Sequence, residues 1–287
     1  GRRACNDLRC FVLRILLLGE IVGKAGIYCI KDGLKDLKES TKADFVIANG
    51  DGATGGFGIG KNHSIYLRKL GVDAITGGEQ IYFKKDMVPH ITQAPYILRP
   101  ANFPPGNPGR GWRVYTAAER RVGVISLLGQ SGYDRVHLSN PFTFLPEIIS
   151  RLSEDTNTIF LDFHALTTAE KYSMLYHAAG TLSAIIGTGT RVPTSDATVR
   201  DGTAYITDMG RTGSIDSVGG LDPKIEIQKH ISQIPERSEE AWANLQIQGV
   251  LVETDDTTGK ALSIEQMAHQ CKEAPGDGNG ASSKNKG

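Results

Sequence analysis

The sequence predicts an α/β fold of two packed sheets with helices on their outer faces. Three observations carry this. Short apolar, β-rich runs alternate with helix-length segments through the first half, the pattern of a mostly parallel sheet. Later runs at Arg113–Thr116 and Arg121–Leu127, and again at Leu245–Glu253 and Ala261–Ile264, alternate like antiparallel strands and add a second sheet. The chain has 287 residues, 39% of them hydrophobic and 22% charged, which suffices for a full core without disulfide or metal support.

Taken in order, Arg14–Leu18 reads as a buried strand, followed by the turn Gly19–Lys24. A helix is expected from Ala25 to Ser40, with Gly33 inside it at a penalty of about 1 kcal/mol relative to alanine. Ala43–Ala48 is a second strand that ends in Asn49-Gly50-Asp51-Gly52. After a glycine-rich loop, Lys61–Leu70 is helical, and Asp73–Thr76 is a short strand ending in Gly77-Gly78-Glu79. The segment Pro95–Gly111 is too proline-rich for a helix or a central strand and reads as a rigid irregular loop. Thr158–Phe163 and Leu182–Ile186 are buried strands, and Asp255–Lys260 is a hairpin turn with glycine near its end. The tail from Ala274 lacks apolar residues and is expected to be disordered.

Composition excludes several classes. Thirty-two Lys+Arg balance thirty-two Asp+Glu, so binding of nucleic acid through bulk positive charge is not expected. The most apolar run, Phe11–Val22, is too short for a membrane span and contains Arg14 and Glu20. Arg2, Arg3 and Arg9 precede it as in a signal peptide, but no small-residue cleavage site follows, so it is read as a buried first strand. Cys5, Cys10, Cys29 and Cys271 show no metal-binding spacing and read as free thiols, which suggests a cytoplasmic address. Glycine is in excess, 34 residues or about 12% against a usual ~7%.

In open α/β sheets, chemistry collects at the carboxyl ends of strands. Those ends carry Glu20, Asp51, Glu79, His164 and the loop Gly187-Thr188-Gly189-Thr190-Arg191. Carboxylates and an imidazole converging from separate strands are the material of a hydrolytic metal site.

The motifs GEIVGK (19–24), DFVIANG (44–50), GGFGI (55–59), LRPANFPPGNPGRG (98–111), DFHA (162–165), TAYITDMG (203–210) and TGSIDSV (212–218) resemble those of the small bacterial YmdB-like metallophosphoesterases, in the calcineurin-like superfamily. The resemblance runs from about Leu13 to Ile264. It implies a four-layer α/β/β/α sandwich of two mixed sheets and, for active members, a dinuclear metal site that hydrolyses phosphodiesters, cyclic nucleotides among them. The domain it implies spans 13–268, with an N-terminal extension (1–12) and a disordered polar tail (269–287). Relatives tend to oligomerise, so a homo-oligomer or protein partner is expected, with the basic head Gly1–Arg9 and the tail as anchoring arms.

At the site this sequence departs from the family pattern. Glu20 stands for the family's first ligand Asp, and Asp51 for its bridging Glu. Gly52 stands for the Asn that follows, and Gly78 and Glu79 for a ligand Asn and a catalytic His. His164 is kept, but Leu166 replaces a Glu; Gly189 and Arg191 stand for two ligand histidines. Arginine has no acceptor atom and glycine no side chain, so a two-metal site is not expected to assemble. The remaining ligands would be Glu20, Asp51 and His164, holding at most a single divalent Mn, Fe, Zn or Mg. Arg191 is expected to replace a cation, pairing with Glu20 and Asp51 in bidentate geometry. Glu79 could act as a general acid only if its pKa were raised. The expected protein is a degenerate metallophosphoesterase homologue, inactive or severely impaired and retained for binding or assembly. The alternative is a phosphodiesterase working through a rebuilt site. Arg99 and Arg110 either bind an anion or brace their loop.

Overall fold

The computed structural model describes residues 12–133 and 138–275. The expectations for Cys5, Cys10, the basic head Gly1–Arg9 and the last twelve residues lie outside the described residues.

The elements run β1 (Val12–Leu18), β2 (Glu20–Ile21), α1 (Gly23–Thr41), β3 (Phe45–Asn49), α2 (Lys61–Leu70), β4 (Ala74–Thr76), α3 (Met87–His90), β5 (Ile97–Leu98), β6 (Trp112–Ala117) and β7 (Arg120–Leu128). They continue with α4 (Pro141–Ser153), β8 (Ile159–His164), α5 (Thr168–Ala178), β9 (Ala184–Thr188), β10 (Thr198–Arg200), β11 (Thr203–Ile206), β12 (Arg211–Ser214), α6 (Pro223–Ser232), β13 (Leu245–Asp255) and β14 (Ala261–Gln270).

Among the described residues, one sheet has the order β2-β12-β13-β1-β3-β4-β5, with β14 on β13; the other is β10-β11-β9-β8-β7-β6. Strands β1, β3, β4 and β5 pair in parallel, as strand–helix alternation predicts. The antiparallel runs divide differently from the expectation. The hairpin β13–β14 joins the first sheet beside β1, and only β6 and β10 run antiparallel at the edges of the second, whose centre β7-β8-β9-β11 is parallel.

Side chains of a strand alternate between faces, and this alternation sorts the core into three layers. Leu13, Ile15 and Leu17 of β1 and Phe45 and Ile47 of β3 meet Phe160, Ala184, Ile186 and Ile206 between the sheets. Leu16, Leu18, Val46 and Ala48 point the other way, against Ile30, Leu34 and Leu67 of α1 and α2. Ile159, Leu161 and Phe163 of β8 face Ile148, Leu152, Met174 and Leu175 of α4 and α5. The result is the four-layer α/β/β/α sandwich.

Two local readings change. Ile97–Leu98, inside the expected Pro/Gly loop, pairs with β4 as a two-residue edge strand, a position where nearby proline does no harm. Strand β14 continues six residues past Ile264, because Glu265 to Gln270 still pair with β13, and Cys271 is buried behind it. Gly33 has a packing reason: a Cβ there would lie 2.6 Å from the His269 ring and 3.1 Å from Ile247, so glycine lets α1 seat on the β13–β14 hairpin.

Candidate functional site

The period of two in β8 that puts Phe160 between the sheets puts Asp162 and His164 on the same face, at the carboxyl end. Asp162 is buried and joins the sheets. It accepts Asn49 Nδ2 at 2.9 Å and the Thr76 hydroxyl from the first sheet, and Thr188 Oγ1 at 2.6 Å from the second. Because the Thr188 proton goes to Asp162, the Thr188 oxygen accepts from His164 Nδ1, 2.9 Å away. That assigns the Nδ1 proton, and makes the 3.3 Å approach of Asn49 Nδ2 to the same nitrogen a contact rather than a bond. His164 Nε2 then faces Glu79 Oε2 at 3.0 Å and Asp51 Oδ2 at 3.8 Å.

Asp51 follows β3 directly and is buried. Its carboxylate accepts backbone N–H groups of Gly78 (2.6 Å) and Gln80 (3.1 Å), which fold the loop after β4 over it. Burial first, then the Glu79 and Glu20 charges, push Asp51 above the usual carboxylate range, with His164 opposing. Burial alone would lower the His164 pKa, but the hydrogen bond to Glu79 and the charges of Glu79, Asp51 and Glu20 raise it to about 10. Burial would raise Glu79, yet His164 outweighs it and holds Glu79 below its ordinary value. Glu79 is therefore a standing carboxylate, not the proton donor that a general acid requires.

Donor atoms of Asp51, Glu79 and His164 all lie within 4.8 Å of one another. Two carboxylate oxygens and an imidazole nitrogen suit one divalent cation with open positions left over. The group contains Asp51 and His164 as expected from the sequence, with Glu79 where Glu20 was named.

Glu20 is turned to Arg191 instead. Arg191 Nε and Nη2 reach the same oxygen, Glu20 Oε1, at 2.9 and 2.7 Å, and Nη2 also donates to Gly56 O at 2.8 Å. The pair is thus not the two-oxygen fork expected, and Glu20 Oε2 is buried with no hydrogen-bond partner among the described residues. A Cβ at Gly52 would stand 2.8 Å from Arg191 Nη2 and 3.0 Å from Glu20 Oε1, so the guanidinium fills the room a side chain at 52 would need. At Gly78 a Cβ would lie 2.4 Å from His164 Nε2 and 2.6 Å from Asp51 Oδ2. Gly189 has φ +111° and a Cβ there would meet Ala165 O at 2.7 Å, so histidine at 189 would be strained. Among the described residues, the group whose donor atoms could hold a cation is Asp51, Glu79 and His164.

The Arg191 loop is held from behind. Thr190 donates through N and Oγ1 to Asp208 Oδ2 at 3.0 and 2.7 Å, and Asp208 is ion-paired with Lys171 at 3.0 Å in full burial. Arg211 Nη1 donates to the Arg191 carbonyl at 2.7 Å. Tyr133 stacks over His164 at a centroid distance of 6.4 Å and 13° between planes, its hydroxyl buried and without a partner among the described residues. Sequence reasoning missed Lys171 and Tyr133, which sit in no quoted motif, and Asp208, which lies in TAYITDMG just past β11 but was not weighed as a charged residue. Arg99 braces its loop, donating to Pro100 O and Ala101 O.

With this geometry in view, the profile of the YmdB-like protein family matches residues 16–267. The chain belongs to that family. It is 37% identical over 256 residues to the 2′,3′-cyclic-nucleotide 2′-phosphodiesterase of Bacillus subtilis (strain 168), covering 89% of this chain and 96% of that protein. A crystal structure of a novel phosphatase from Mycoplasma pneumoniae superposes with a TM-score of 0.85 at 32% identity, over 91% of this chain and 95% of that one. A hypothetical protein from Thermus thermophilus superposes at 0.82 and 27% identity, over 91% and 100%. This YmdB-like chain thus shares the fold of these relatives over nearly their whole length. No helix among the described residues is long and apolar enough to cross a membrane.

Proposed function

We propose that this YmdB-like protein has given up two-metal phosphodiester hydrolysis, so that its turnover is severely impaired, and that it is retained for binding. The observation that carries the reading is the Arg191–Glu20 ion pair seated over Gly52. A fixed guanidinium neutralises a carboxylate that would otherwise call for a cation, and it cannot ligate one. A cation at Asp51, Glu79 and His164 would supply Lewis acidity toward a phosphoryl oxygen. The chain's own residues can do less. Arg191 is committed to Glu20 and to the Gly56 and Gly219 carbonyls, Asp162 and Thr188 orient the imidazole, and Glu79 and Asp51 hold its charge.

Elemental mass spectrometry of the purified protein tests this beside a turnover assay with 2′,3′-cyclic AMP and bis-p-nitrophenyl phosphate, the Bacillus subtilis relative serving as the control. The expected result is fewer than two ions per chain and turnover lower by at least about 10³-fold, a loss of about 4 kcal/mol of transition-state stabilisation. Two ions per chain, or turnover equal to the relative's, would overturn it.

The convergence of Asp51, Glu79 and His164 favours a second reading, a one-cation phosphodiesterase on a rebuilt site. It requires one tightly held Mn²⁺, Fe²⁺, Zn²⁺ or Mg²⁺ per chain, lost in Glu79→Ala, and metal-dependent turnover. Calorimetry that detects no binding of these ions eliminates it.

A further inference from the structure

The Pro/Gly segment makes a second feature, away from the strand-end residues. The turn after α3 packs against the end of the loop, where Gly109, at φ +88°, lies so close to Ile91 that a Cβ would come within 2.9 Å of it. Tyr115 of β6 donates to Pro95 O at 2.8 Å and ties the turn to the second sheet. Between them is a cavity of about 200 Å³, floored by Ile91, Ala94 and Ile97 and flanked by Gln93, Arg110 and Arg113. No Asp or Glu lines it.

Neither arginine is engaged. Among the described residues the side chains of Arg110 and Arg113 make no hydrogen bond or ion pair, and Arg113 Nε is shut off from solvent with no acceptor. Guanidinium groups match oxyanions in geometry, and two unpaired positive charges are balanced best by a dianion. The apolar floor adds a second requirement, a short hydrocarbon stem. At about 30 Å³ per water-sized group, the cavity takes about six or seven such groups, enough for a phosphoryl headgroup and a short stem.

The geometry points to a binding site for a small organic phosphomonoester at Arg110 and Arg113, distinct from the strand-end cluster. Arg113, half-buried on β6, meets the headgroup through its terminal guanidinium nitrogens; Arg110, exposed at the mouth, adds the second guanidinium. Ile91, Ala94 and Ile97 take the stem.

Titration calorimetry with n-butyl phosphate, inorganic phosphate and butyrate tests it on the full chain. n-Butyl phosphate is expected to bind about tenfold or more tightly than either of the others, tenfold being ~1.4 kcal/mol. Arg113→Ala and Arg110→Ala should each weaken it by about tenfold or more. Arg191→Ala, in the other site, should leave the affinity unchanged. Because Arg113→Ala removes an unpartnered donor, its melting temperature should not fall, and exposed Arg110 offers an independent variant with no packing to lose. Butyrate binding as tightly as n-butyl phosphate, affinity lost in Arg191→Ala but kept in Arg113→Ala, or no heat at about 10 mM ligand would overturn the assignment.

Discussion

Arg191 shows how one side chain changes what its neighbours can do. Its charge sits on Glu20, and both groups are largely withdrawn from water, 14% and 3% exposed. Removing one member of such a pair leaves the other charge stranded, at about 3–5 kcal/mol, whereas an apolar replacement of both can be nearly neutral. Arg191→Ala should therefore lower unfolding free energy in urea by roughly that amount, and an Arg191→Met, Glu20→Leu double variant should recover most of it. His164 makes a pH prediction. Its folded pKa, about 10, lies above the ordinary imidazole value of 6.5. The stability it contributes is thus complete below about pH 6.5 and is lost as pH rises through about 10. Metal-free protein should lose stability over that window, and His164→Asn should show a flatter profile; equal slopes would contradict the assignment. NMR of the imidazole should show it protonated at pH 8.

At the scale of elements, helix propensity and packing disagree at Gly33. Propensity alone says that Gly33→Ala should gain about 1 kcal/mol. The 2.6 Å approach to the half-buried His269 ring and the 3.1 Å approach to buried Ile247 say otherwise, and overpacking typically costs about 1–3 kcal/mol. The expected outcome is net destabilisation in urea, relieved by His269→Ala. The loop after β9 depends likewise on a distant element. Lys171 of α5, 1% exposed, holds Asp208, which in turn holds Thr190. Lys171→Met should destabilise by roughly 3–5 kcal/mol by leaving Asp208 charged and unpaired, whereas Lys171→Met with Asp208→Asn should be milder.

Across the whole molecule, much of the architecture was legible because it is written in one dimension. Runs such as Arg14–Leu18 and Ala43–Ala48 are apolar on both faces, and glycine or Asn-Gly punctuates the strand ends that carry Asp51 and Glu79. The ligand-capable residues were likewise readable from position. Which carboxylate turns toward the imidazole was not, because Glu20 and Glu79 stand at equivalent strand ends and only the placement of Arg191 separates them. Nor was the allegiance of β13, which pairs with β1 across more than two hundred residues of chain. Because the charges of the cluster neutralise one another within the fold, melting temperature is expected to be the same with EDTA as with about 1 mM Mn²⁺. A bound cation at 100 times its dissociation constant would instead add about 2.7 kcal/mol.

Asp162 has a dynamic consequence. One carboxylate receives hydroxyl protons from Thr76 and Thr188, which belong to different sheets. Opening either strand end breaks the same node, so amides at the ends of β4 and β9 should exchange with deuterium at matched rates and with one shared opening free energy. In Asp162→Ala the two protection factors should diverge, each falling to the value its own sheet sustains.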